Sequence, residues 1–174
     1  MKKNLRITLV ISLLVLLTVV IIALSGGSVK KNPGGNYEKQ NSTSQSDGYE
    51  FTYNGTKIKP GEEIAKVLNA LGAPDKQYET NSCAYQGMEG VYTYRSFEIY
   101  TYNDAVIRIV LLDDLAETGE GVFIGNKRSV VEEKYGSPDK TTETSYIYEK
   151  GSTTLFFIFD ADKVISIQYE TRAE

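Results

Sequence analysis

The chain has 174 residues, of which 41% are hydrophobic and 24% charged, the size and mix of one ordinary globular domain or two small ones. Its net charge of −4 is unevenly spread: residues 1–31 hold five Lys and Arg and no acid, and the remainder sets 14 basic residues against 23 acidic ones. An acidic body argues against nucleic acid as a partner, the lack of histidine excludes Ser-His-Asp and Cys-His catalysis and His-ligated zinc, and a single cysteine excludes an intramolecular disulfide.

Ile7 to Leu24 is an uncharged apolar run of 18 residues. As a helix it spans roughly 27 Å, close to the bilayer hydrocarbon thickness of about 30 Å. Lys2, Lys3 and Arg6 ahead of it favour an N-terminus inside the cell and a body outside the cytoplasm. Two outcomes stand side by side: residues 1–24 are an uncleaved single-pass anchor, with Lys30-Lys31 at the far interface, or a signal segment cleaved near Ser25. No cysteine follows the run, so lipoprotein processing is closed. Residues 25–48 are rich in Gly, Ser, Asn and Gln and read as a disordered linker, because they bury too little to offset their ordering entropy.

The rest is internally self-similar at a spacing of 64. Residues 58–80 and 122–144 are identical at eight of 23 positions, among them Gly61/Gly125, Val67/Val131, Gly72/Gly136 and Pro74/Pro138. Two repeat units follow, 49–115 and 116–174. In the first, Ile64, Val67, Leu68 and Leu71 fall on one helix face, Gly72 suits a left-handed C-terminal cap and Pro74 blocks continuation. In the second, Asn126 is the expected N-cap, Val131 and Tyr135 face inward, and Gly136 and Pro138 repeat the exit. Turns at Asn54-Gly55, Asn103-Asp104 and 160–163 separate strand patterns, with 92–102 taken as one strand. The expected fold class is α+β: two units of a helix plus a three-stranded antiparallel meander, helices packed on the sheet or sheets, behind an N-terminal transmembrane helix.

The helix signature given twice, Gly61, Val67, Gly72 and Pro74 and then Gly125, Val131, Gly136 and Pro138, resembles the outer-membrane assembly lipoproteins of the SmpA/OmlA (BamE) type, and the tandem arrangement resembles the β-lactamase inhibitor protein. The stretch 82–102 also resembles secreted or membrane-anchored proteins of Gram-positive bacteria. The resemblance covers about 110 residues and implies a protein-binding module that is not an enzyme. The lipid-bearing cysteine of the first family has no counterpart here.

Tyr92, Tyr94, Tyr100 and Tyr102 are the expected binding surface, assigned to one strand face, since tyrosine gives a large amphipathic contact at low entropic cost. Cys83 is a possible reactive thiol, although no histidine can serve it as a base. Asp160, Asp162 and Asp113-Asp114 read as turn chemistry, because the glycine and glutamate of a calcium loop are missing. No metal or cofactor is expected. The expected function is a non-catalytic binding module at the cell membrane that contacts a protein or cell-envelope polymer. A carboxylate-dependent envelope enzyme and a structural or assembly role are the alternatives.

Overall fold

The computed structural model describes residues 48–82 and 85–172, which belong to one compact unit. A short hairpin comes first, β1 (Phe51–Tyr53) and β2 (Thr56–Ile58), with Asn54 and Gly55 both at positive φ in its turn. Helix α1 (Ile64–Leu71) follows, then β3 (Lys76–Asn81), β4 (Met88–Tyr94), β5 (Phe97–Tyr102) and β6 (Ala105–Leu111). Helix α2 (Arg128–Tyr135) is followed by β7 (Lys140–Thr141), β8 (Ser145–Lys150), β9 (Thr153–Asp160) and β10 (Lys163–Thr171). β3 to β10 form one antiparallel sheet in the order β3-β4-β5-β6-β10-β9-β8-β7.

This corrects the expected α+β class. The described body is predominantly β, built on a single eight-stranded sheet with four strands after each helix rather than three. The cause lies in Arg95-Ser96, a tight turn that divides 92–102 into two strands, and in β7, which the Gly-x-Pro exit feeds directly. The helices have eight residues each and form no layer: α1 buries Ile64 and Val67, and α2 buries Val131 alone. The proposed transmembrane helix at 1–24, the linker up to residue 47 and Cys83 lie outside the described residues. Among those described, no helix is long and apolar enough to cross a membrane.

The two halves meet along β6 and β10, where Leu111 faces Ile167 and Ile109 faces Tyr169. Their backbone bonds recur in matching places. Gly61 N–H donates to Val106 O and Gly125 N–H to Val164 O, 2.7 and 2.8 Å. Gly72 N–H closes α1 on Leu68 O, and Gly136 N–H closes α2 on Glu132 O. Both glycines hold positive φ, 83° and 76°, where a β-carbon is strained. Asn126 caps nothing; its Oδ1 accepts from Phe123 N–H, and Lys127 stands at the N-cap.

One sheet face carries the core. Phe97, Ile99, Ile109, Leu111, Leu155, Phe157, Ile167 and Tyr169 are all at most 2% exposed and pack against Phe51 and Ile58 of the hairpin, Ile64 and Val67 of α1, Val131 of α2, and Ala116 and Val122 of the connection. The Phe51 ring lies 4.9 Å from Phe97 and 5.9 Å from Tyr169, centroid to centroid. Each such side chain contributes about 1.5–3 kcal/mol by leaving water. The hairpin and helices therefore lie over one side of the sheet and leave the other uncovered by them, although Val91, Glu89 and Thr154 on that other side are nonetheless buried.

Candidate functional site

Strand register defines what stands on the uncovered side. Directly opposed residues share a face, and successive residues alternate. One row of facing partners runs Tyr78, Val91, Tyr100, Arg108, Glu170, Thr154, Glu149 from β3 across to β8. The row beside it runs Lys76, Thr93, Glu98, Val110, Gln168, Phe156, Ile147, Lys140 and crosses all eight strands. Phe156, Ile158, Ile147 and Val110 are half-buried here although neither hairpin nor helix lies over them.

Several charged groups of this face are tied to neighbouring side chains. Arg108 sits with its guanidinium carbon 4.2 Å from the Tyr100 ring centroid, and its Nη2 lies 3.5 Å from Glu89 Oε2. Glu89 is buried and also accepts from Ser82 Oγ. Glu98 accepts from Thr93 Oγ1 at 3.0 Å and from Tyr100 OH at 2.7 Å. Burial, and then the bond to Glu98, pushes the Tyr100 hydroxyl up to about 12, so it is a neutral donor at any physiological pH. Glu149 takes Lys140 at 2.5 Å and Arg172 at 2.8 Å. These bonds hold long side chains in place before anything binds, which lowers the ordering cost of contact.

Glu170 lies between two shallow hollows, of about 70 Å³ and about 240 Å³, and lines both of them with Thr171. Tyr85, Glu89, Ile107 and Arg108 line the smaller. Lys140, Ile147, Glu149, Thr154, Phe156 and Arg172 line the larger. Burial raises the Glu170 carboxyl above its ordinary value, against the pull of Arg108. No three His, Cys, Asp or Glu side chains among the described residues are grouped to hold a metal ion.

The four tyrosines expected on one face are split between two. Tyr92 faces Ile99 and Tyr94 faces Phe97, both on the covered side. Tyr94 is 7% exposed, stacked on Phe97 at 4.9 Å, and donates its hydroxyl to Gly72 O at 2.8 Å. Tyr100 faces Arg108 on the uncovered side, and Tyr102 follows it in the alternation, stacked on Tyr85 at 4.6 Å. The turn at Arg95-Ser96 resets the parity, so even positions point inward on β4 and outward on β5. Arg108, Glu170 and Phe156 were not legible as site residues. A signal existed in β9, whose run Leu155–Phe159 is apolar at every position, the pattern of a strand buried on both faces.

No protein-family model and no curated protein sequence matches the chain. Solved structures give distant likenesses. One is a cysteine-rich secretory protein of Staphylococcus aureus, at 13% identity and a TM-score of 0.48 over 65% of this chain and 44% of that one. Another is an extracellular protein of Bacillus anthracis containing an SCP domain, at 10% identity and a TM-score of 0.43 over 83% and 50%. A DUF4309 family protein of Bacillus subtilis gives 14% identity and a TM-score of 0.39 over 64% and 79%. The chain spans half or less of the length of the first two.

Proposed function

We propose that this chain is a non-catalytic binding module, displayed outside the cytoplasm at the cell membrane, that takes a protein or cell-envelope polymer across the uncovered face of its sheet. One observation carries the reading: two rows of side chains cross the sheet on a side that no described element covers, mixing half-buried Phe156, Ile147 and Val110 with pre-bonded Tyr100, Arg108 and Glu98. Apolar area beside satisfied polar groups is the composition of a recognition surface. The repeated Gly-x-Pro helix signature, similar to that of protein-binding families, supports the same reading. Placement outside the cytoplasm is supported by Lys2, Lys3 and Arg6 ahead of the Ile7–Leu24 run; an anchor and cleavage near Ser25 are both compatible with it.

The test compares surface variants of the full chain in its own cells. Tyr100→Ala and Phe156→Ser are expected to abolish co-purification of envelope components, while Thr52→Arg, on the exposed side of the hairpin, leaves it unchanged. Equal recovery with all three variants, each verified as folded by circular dichroism, sinks the assignment of this face.

A further inference from the structure

The two edges of the sheet differ. β7 has two residues, whereas β3 presents six, all but Thr80 well exposed, paired to β4 without a break in register. β3 holds no proline and no bulge, two of the devices that blunt an edge, and of the third, charged side chains, it carries only Lys76 and Glu79. Ser82 N–H donates to Gly87 O, and bonded positions alternate along an antiparallel ladder. Lys76, Tyr78 and Thr80 therefore bond β4, and Gln77, Glu79 and Asn81 turn their backbone N–H and C=O groups away from the sheet. Among the described residues nothing pairs with them.

We propose that β3 pairs antiparallel with β3 of a second copy of this chain, in a register centred on Tyr78. The strand's own pattern suits a copy of itself in this register, whereas a register centred on Gln77 sets Asp75 against Glu79. Centred on Tyr78, each Gln77 faces the partner's Glu79, each Lys76 faces the partner's Thr80, and no like charges oppose. The outward backbone groups of Gln77 and Glu79 then meet as two hydrogen-bonded pairs, four bonds in all. A register centred on Glu79 sets two glutamates directly against each other, which is destabilising. A register centred between the two residues turns bonded positions onto non-bonded ones. The two Tyr78 rings, each 48% exposed in one copy, become cross-strand neighbours at the close, non-bonded spacing. The twofold axis stands perpendicular to the sheet, so both uncovered faces point the same way and the Tyr78-to-Glu149 row continues into its counterpart. This pairing does not depend on what the uncovered face binds.

Sedimentation equilibrium of the full chain in mild detergent tests it. The expected species is a dimer. Gln77→Glu places two Glu–Glu pairs in the seam and is expected to weaken the dimer by roughly tenfold. Gln77→Lys is expected to tighten it, and the double variant Gln77→Glu/Glu79→Lys to restore it, because the pairs regain opposite charge. Gln77 and Glu79 are both exposed, so none of these changes disturbs the core, and circular dichroism verifies the fold. A monomer at all concentrations overturns the proposal. So does a dimer indifferent to Gln77→Glu, the result expected if the N-terminal segment alone holds the copies together, and so does failure of the double variant to recover.

Discussion

Tyr169 lies near the end of β10, 1% exposed, with its hydroxyl buried and without a hydrogen-bond partner. Burial raises its pKa well beyond the ordinary tyrosine value, and Glu120 nearby adds to the rise. Tyr135 is raised for the same first reason, and its hydroxyl donates to Glu120. A buried hydroxyl with no partner keeps its desolvation cost and gains nothing in return. Tyr169→Phe is therefore expected to stabilise the protein by about 1 kcal/mol, read as a rise in urea midpoint at unchanged slope. A loss of stability would mean that the hydroxyl has a partner. Arg128 shows the opposite economy: Nε donates to Ala161 O at 3.1 Å, Nη2 to Glu143 O at 2.6 Å, and the guanidinium lies 4.0 Å over Phe159. It ties α2 to the β9–β10 turn. Neither role was legible from residue type, because both depend on strands far apart in sequence.

At the scale of elements, what the sequence carried best was local. Gly72 and Gly136 were readable as helix stops because left-handed backbone favours glycine, and both sit at positive φ. Asn54-Gly55 and Asn103-Asp104 were readable as turns for the same reason, and all four residues have positive φ. Pairing and parity were not readable. The short turn at Arg95-Ser96 carries no Gly, Pro, Asn or Asp, so the change of face between Tyr94 and Tyr100 left no mark. The helix exits are held from the sheet: Tyr94 OH donates to Gly72 O at 2.8 Å, and Tyr148 OH to Gly136 O at 3.0 Å. These bonds latch each helix to the strand that follows it by one. Tyr94→Phe and Tyr148→Phe should each cost about 1 kcal/mol in chemical denaturation, with the double variant near the sum because the latches lie in separate halves. A double variant no worse than either single one would show that the latches are not independent.

For the whole molecule, the consequential feature is asymmetry between the faces of one sheet. The covered face gathers the hairpin, both helices and the connection over Phe97, Ile109, Phe157 and Ile167. The other face keeps Phe156, Ile158 and Val110 half-buried among side chains that already bond one another. Self-similarity at 64 residues pointed to two like units, but the joining of their strands along β6 and β10 into a single platform came from the register of Arg108 with Glu170 and Leu111 with Ile167. Ile107 and Ile165, the residues passed over where the register shifts on β6 and β10, mark matching irregularities in the two halves.

Photo-crosslinking in the cell of origin tests the proposed binding surface. A photoreactive phenylalanine analogue is placed singly at Tyr100, Phe156 and Ile147 on the uncovered face, and at Tyr92 and Thr52 as controls. Adducts of one common mass are expected from the first three positions and none from the controls. Adducts from Thr52 alone, or an equal yield from every position, would contradict it.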